Sequence, residues 1–297
     1  MLTTGLAAAC PPALHLWLAR YLDGEISAEI TLMHFLIGLG GAERLIPVLE
    51  GLRASAPQRE EIARLVQTAI ANRAGLNQAG AVITAGVTKP PPGGADAIAT
   101  VRAQYDRAVA AAPEAAVALY SLGSAEILDQ ATREIVARLT EWHLLGNGRD
   151  VLDIGCGIGR IEKAIAGKVR RISGIDIAAE MIGEAQRRCA GLSNVIFLQT
   201  SGCDLSAVDG NAYDLVLAVD CFPYLVAAGT AAQHAADAAR LLRPAGHLLI
   251  LNFSYRGDLA ADLRDLNQFA DGTGLKIVRC DTRDFALWDG ISFLLQR

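Results

Sequence analysis

The chain has 297 residues, with 27 Lys and Arg against 32 Asp and Glu and a formal net charge of -5. Hydrophobic residues make up 52% and charged residues 20%, ample for a buried core and too apolar for a disordered chain. The acidic balance and scattered basic residues argue against a nucleic-acid partner, because phosphate binding rests on clustered Lys and Arg; the pairs Arg170–Arg171 and Arg187–Arg188 read as solvated surface.

Six cysteines, at positions 10, 156, 189, 203, 221 and 280, form no C-x-x-C pair. That spacing suggests neither a zinc site nor a disulfide framework, so a cytoplasmic protein without a metal is expected. The opening "MLTTGLAAAC" has no basic residue before its short apolar segment, unlike an export signal. No run of ~18 apolar residues occurs, so no membrane partner is expected.

In chain order, the first elements are helical: "PPALHLWLARYLDGE", "SAEITLMHFLIGLGG", "AERLIPVLEGL" and "PQREEIARLVQTAIANRAG". Pro12 and Pro57 suit first-turn positions, Ser27 suits an N-cap, and Gly38, Gly40, Gly41 and Gly75 suit helix ends. "ITLMHFLIGL" is apolar nearly all round and must be buried in its own domain, against a second domain, or across a homodimer. A lid or dimerisation role follows for residues 1–88. "TKPPPGGAD" combines Pro and Gly as linkers do and places a linker at 89–96. Two or three further helices follow, in "AIATVRAQYDRAVAA", "EAAVALYSLG" and "SAEILDQATREIVARLTEWHLL".

From Arg149 the pattern alternates between strand and helix. Strands are expected in "DVLDIG", "RISGIDI", "VIFLQ", "YDLVLAVD", "HLLILNFS", "LKIVRCD" and "ISFLLQR". Helical segments between the first five imply a parallel, doubly wound α/β sheet with right-handed crossovers. The last two strands are joined by too short a loop for a crossover helix, so the seventh should run antiparallel beside the sixth.

The first strand leads into "VLDIGCGIGR". A dinucleotide fingerprint G-x-G-x-x-G needs a small third residue for close helix–strand packing, and that place holds Arg160. A nicotinamide-dependent oxidoreductase is therefore disfavoured. The spacing is instead D-x-G-x-G-x-G, from Asp153 through Gly155, Gly157 and Gly159. This turn resembles the first motif of class I S-adenosylmethionine-dependent methyltransferases, and the resemblance runs over roughly Ala95 to Arg297. It implies a Rossmann-like methyltransferase domain over 97–297 with an added N-terminal all-helical domain, and S-adenosylmethionine as cofactor. It further implies that Gly155 and Gly157 approach the methionine part, that Asp153 helps hold its ammonium group, and that Cys156 contributes its backbone.

Asp176 lies 21 positions beyond Gly155, where an acid meets a ribose in nucleotide-binding βαβ units. The resemblance puts Ile177 and Met181 on the adenine side. In "QTSGCDL" the adenine-edge contact falls to Ser201, to backbone around Gly202 and Cys203, or to Asp204, which alternatively caps a local turn. Asp220 ends the fourth strand, at the rim where open α/β sheets bind ligands. The following "CFPY" departs from the D/N-P-P-Y motif of enzymes that methylate exocyclic or amide nitrogens, which points to a small-molecule acceptor.

Position along the sheet rim then assembles an acceptor site from Phe222, Tyr224, Tyr255, Arg256 and Trp288, with Asn252, Phe285 and Asp289 nearby; the resemblance implies that the helices carrying Tyr105 and Tyr120 fold over the cofactor, which adds Tyr120 to the acceptor site. Arg256 either holds an acceptor carboxylate or pairs with Asp258. Asp220 and Tyr224 are the candidate catalytic groups; His234 is a third candidate base or a surface histidine, and His247 reads as structural. The expected activity is methyl transfer to O or N of a small molecule. A non-catalytic S-adenosylmethionine-binding scaffold is the alternative.

Overall fold

The computed structural model describes residues 2–87, 93–208, 212–281 and 284–297. It divides into two compact units. The first gathers 1–88 with 107–131 and 285–289; the second gathers 89–106, 132–284 and 290–297. The chain thus passes between units several times rather than once at the expected linker, part of which (89–92) lies outside the described residues.

In the first unit the helices are Thr4–Ala9, His15–Leu22, Ala28–Leu39, Leu45–Ser55, Glu60–Ala71, Arg73–Thr84 and Pro113–Val117. Ser27 caps Ala28–Leu39, its hydroxyl accepting from Ile30 N at 3.1 Å, and Gly40 ends it in the left-handed region. Ile30, Leu32, Phe35 and Leu36 are fully buried. This apolar helix is therefore covered within its own unit, without a second copy. Its burial is worth about 1.5–3 kcal/mol per large side chain.

Two glycines do a different job from the one expected. Gly38 and Gly75 lie inside helices rather than ending them. A Cβ at Gly75 would sit 2.2 Å from the carbonyl oxygen of Leu122, so glycine there permits two backbones to touch. The helix Arg73–Thr84 continues past this point, where its Gly-rich start hides it from a periodicity argument.

The second unit holds a seven-stranded sheet: β1 (Gly146–Ile154), β2 (Val169–Asp176), β3 (Val195–Gln199), β4 (Tyr213–Val219), β5 (Leu242–Leu251), β6 (Lys276–Asp281) and β7 (Ser292–Gln296). Its order is β3-β2-β1-β4-β5-β7-β6. The first five strands pair parallel, and β7 inserts antiparallel to both β5 and β6. This is the Rossmann-like arrangement with an antiparallel last strand. Phe253 anchors one face, packed on Phe222, Phe269 and Phe293 at ring distances of 5.2, 5.7 and 5.9 Å. Among the described residues no single helix is long and apolar enough to cross a membrane.

The amino ends of four neighbouring strands are clamped by charge. Asp150, buried at β1, accepts from Arg170 Nε and Nη2 at 2.9 and 2.6 Å and from Arg243 Nη2 at 2.8 Å, with Arg171 Nη2 at 3.5 Å. Arg243 also reaches Asp214 of β4 at 2.5 Å, and Asp214 accepts from the Asp150 amide. Arg170 and Arg171 are therefore not idle surface cations. Arg187 and Arg188 likewise pair with Glu184.

Hydrogen bonds from Arg170 and Arg243 hold the Asp150 carboxyl down to about 2, against the opposing effect of burial. Because the folded value lies below the unfolded one, this stabilisation is complete above about pH 4 and lost as the pH falls toward 2. Asp150→Asn should cost about 1–3 kcal/mol at neutral pH, with the gap to wild type closing in acid. Urea unfolding followed from pH 7 to 2.5 measures this; a gap that does not narrow contradicts the clamp.

Candidate functional site

The carboxyl end of β1 turns through three glycines with φ of 73°, 54° and 75° at Gly155, Gly157 and Gly159. This left-handed region costs an ordinary side chain ~1–2 kcal/mol per residue. Space forbids one as well: a Cβ at Gly155 would lie 2.4 Å from Cys221 Cβ. The amides of Gly155 and Cys156 donate to Ile175 O at 2.8 and 3.0 Å, tying the turn to β2.

Asp176 at the end of β2 holds the same turn by its side chain. Its Oδ2 accepts from Gly157 N at 3.0 Å and its Oδ1 from Ala178 N at 2.9 Å. Burial pushes its pKa up and these amides pull it back. An ionised carboxylate offers about four acceptor positions; the amides of Gly157, Ala178 and Ile177 draw on three, leaving capacity for a further donor.

Two residues before the first glycine, Asp153 is 2% exposed, and its Oδ1 finds no donor among the described residues. Glu162, in the helix Arg160–Ile165, is wholly buried beside it. Cys156 is a buried, neutral thiol with its pKa raised by burial, consistent with a backbone role. Ile177 lies against Gly202, where a Cβ would be 2.6 Å from Ile177 Cγ2. Met181 is buried in the helix Ala179–Arg188. Ser201 Oγ accepts from Cys203 N at 3.2 Å, and Asp204 is occupied as a turn cap, accepting from Ser206 N and Oγ.

S-adenosylmethionine asks for an acceptor for its ammonium, a carboxylate for its ribose and an apolar slot for its adenine. Asp153, Asp176 with acceptor capacity to spare, and the Ile177–Gly202 contact are groups of these three kinds at one turn. The residues fit the cofactor.

At the neighbouring rim, Asp220 follows β4 with φ +58° and Asn252 follows β5 with φ +65°. Two non-glycine residues held left-handed side by side cost about 1–3 kcal/mol each and gather at functional sites. Asp220 Oδ1 accepts from Asn252 Nδ2 at 2.9 Å and from Tyr255 OH at 2.8 Å. Tyr105 OH donates to Tyr224 OH at 2.7 Å, and the rings of Tyr224 and Tyr255 meet edge-on at 6.0 Å. Enclosure is the largest influence raising the pKa of all three tyrosines, although Tyr255 is 44% exposed, so they are neutral hydroxyls grouped around Asp220. Cys221 joins this rim to the glycine turn, its thiol donating to Ile154 O at 2.7 Å.

Of the expected acceptor residues in this unit, Tyr224 and Tyr255 join Asp220, and two do not. Phe222 is 1% exposed and packs on Phe253 in the sheet core; as the first residue of a helix, it turns inward to cover the strands. Arg256 is committed to Asp262 and Asp265 at 2.5 and 2.8 Å, while Asp258 caps the helix Leu259–Thr273 instead. Tyr120 and Trp288 belong to the first unit, buried and stacked at 5.8 Å, with Phe285 5.0 Å from Trp288.

His234 is not a surface residue. It is 2% exposed, its Nδ1 lies 3.0 Å from Thr230 O, and burial lowers its pKa. Glu162 was not legible as a site residue. An acid in the first turn of a helix ordinarily faces solvent and serves the helix dipole; only the flanking Ile161 and Ile165 hint that this face is buried.

Residues 151–246 match a family profile described as "Methyltransferase domain". A demethylmenaquinone methyltransferase of Tropheryma whipplei is 34% identical over 108 residues, 36% of this chain and 43% of that protein. An S-adenosyl-L-methionine-dependent Diels-Alderase of Talaromyces variabilis is 24% identical over 159 residues, 50% of this chain and 53% of that one. The chain thus spans about half of these relatives' length or less. The solved phosphoethanolamine N-methyltransferase 1 of Haemonchus contortus shares the fold, with a TM-score of 0.52 at 17% identity over 68% of this chain and 48% of that one. With the glycine turn, the acid one strand over and the β7 insertion all in place, the segment Val151 to Gly246 that matches the methyltransferase domain profile lies on a Rossmann-like sheet.

Proposed function

We propose that the protein transfers a methyl group from S-adenosylmethionine to an oxygen or nitrogen of a small molecule, at an atom that gives up a proton. The observation that carries this reading is the Asp220 carboxylate, fixed by Asn252 and Tyr255 at the rim next to the glycine turn. Gly155, Gly157, Asp153 and Asp176 hold the cofactor, with Ile177, Met181 and the 201–203 backbone at its adenine. Bound there, the cofactor supplies an electrophilic methyl on a sulfonium.

For the chain's own residues the work is orientation and proton removal. Orientation supplies up to ~7–11 kcal/mol in favourable cases. Asp220 receives the acceptor's proton directly or through the Tyr255 hydroxyl. Tyr224 and Tyr105, neutral and hydrogen-bonded, line the approach and orient a polar group. A positioned base of this kind contributes typically 10²–10⁴-fold.

A second reading has one observation in its favour. The Talaromyces relative is named for a pericyclic reaction that depends on the cofactor, and the protein in this reading binds S-adenosylmethionine without spending its methyl group.

Two outcomes are expected. Asp176→Ala should weaken S-adenosylhomocysteine binding about 10–100-fold by calorimetry, the worth of losing charge-assisted bonds of roughly 1.5–3 kcal/mol, with circular dichroism confirming the fold; unchanged affinity removes the ribose role. On a panel of phenols, carboxylic acids and amines, wild type should release S-adenosylhomocysteine, and Asp220→Asn should lower kcat by about 10² or more while KM for the cofactor changes little. Binding without turnover across the panel would favour the second reading.

A further inference from the structure

Asp153 and Glu162 form a pair of carboxyls sealed from water. They are 2% and 0% exposed, and Asp153 Oδ1 and both Glu162 oxygens find no donor among the described residues. Each carboxyl is among the groups that shift the other, so the two lie close together. Two neighbouring carboxylates enclosed without donors would repel, so the pair favours holding a proton. The room for Glu162 is made by Gly174 of β2, where a Cβ would lie 2.7 Å from Glu162 Oε1 and 2.8 Å from the Phe197 ring.

We infer that Glu162 is a cofactor-positioning residue: its carboxyl keeps its proton and donates it to Asp153, leaving one negative charge, on Asp153, to face the ammonium group of S-adenosylmethionine. This rests on the cofactor reading of the site above. The assignment of the proton follows from the surroundings. Glu162 is the more deeply enclosed, over Gly174 of β2, whereas Asp153 lies at the glycine turn. Arg160, on the same helix as Glu162, directs its Nη1 to Thr132 Oγ1 at 3.0 Å and draws both carboxyls down through space. The other groups around the pair are Asp176 from the end of β2 and the thiols of Cys156, Cys189 and Cys221. The thiols are neutral, and Asp176 opposes a second negative charge.

Burial pushes the Asp153 carboxyl up to about 7, with the hydrogen bond from Glu162 working against it. Burial and the Asp153 charge together push Glu162 well above the ordinary carboxylate range. A cation at Asp153 favours its ionised form. Binding therefore releases up to one proton below about pH 7 and almost none well above it, and affinity falls by up to tenfold per unit of acidification. An unpaired acid of ordinary pKa would leave binding flat from pH 9 to 6.

Calorimetric titration with S-adenosylhomocysteine between pH 5.5 and 8.5, in buffers of differing ionisation heat, gives both affinity and proton count. Wild type should release close to one proton at pH 6 and near zero at pH 8.5. Glu162→Gln, whose amide still donates, should retain the profile. Glu162→Leu, which removes the donor, should lose affinity already at higher pH, and Asp153→Asn should bind weakly with no pH dependence. A flat wild-type profile, or a Glu162→Leu profile superimposable on it, overturns the inference while leaving the cofactor site intact. Should Glu162→Leu fail to fold, the wild-type proton count at pH 6 still decides. Absence of binding heat at every pH overturns the cofactor reading and this inference with it.

Discussion

The second unit depends on a single backbone bend. Between Ile154 and Arg160 the chain must reverse from strand to helix in a space closed by Cys221 on one side and by Phe197 and Ala185 on the other. Only residues without side chains fit the left-handed positions there. The bend is then fastened by a carboxylate from the neighbouring strand, Asp176, through the Gly157 amide. The same carboxylate starts the next helix through Ala178. Shape, charge and acceptor capacity thus meet at one residue, and the cofactor site follows from how the bend is built.

What was readable in the sequence, and what was not, divides along a physical line. Short apolar runs separated by helical segments mark the strands of an α/β sheet, and all seven expected strands are present. The glycine spacing and the distance to Asp176 are local in sequence and survive into the structure. The features that escaped are tertiary. Tyr105 and Tyr224 are 119 positions apart, and nothing local says that their hydroxyls meet. Arg170 looks solvated until β1 brings Asp150 beside it. Phe222 and Tyr224 are two residues apart on one short helix, yet one faces the core and the other the rim. Gly75 shows the same limit from the other side: glycine can mark a close approach as well as a stop.

Stability and function are arranged at opposite ends of the sheet. At the amino ends, Asp150 and Asp214 are fully paired with arginines. At the carboxyl ends, charges are left under-satisfied: Asp153 lacks a donor at one oxygen, and Asp220 and Asn252 sit in strained backbone. Asp153, Asp220 and Asn252 thus bring unmet hydrogen-bonding capacity and backbone strain to this end of the sheet. The tyrosine hydroxyls beside Asp220 stay neutral, so they add hydrogen-bonding groups to the rim rather than negative charge.

The most direct test is a crystal structure with S-adenosylhomocysteine. The account predicts the nucleoside over the Gly155–Gly159 bend, its ribose hydroxyls on Asp176, its amino group on Asp153, and its sulfur directed toward Asp220 and Tyr224. A nucleoside bound elsewhere, or bound at the bend with Asp176 making no contact to the sugar, would contradict it.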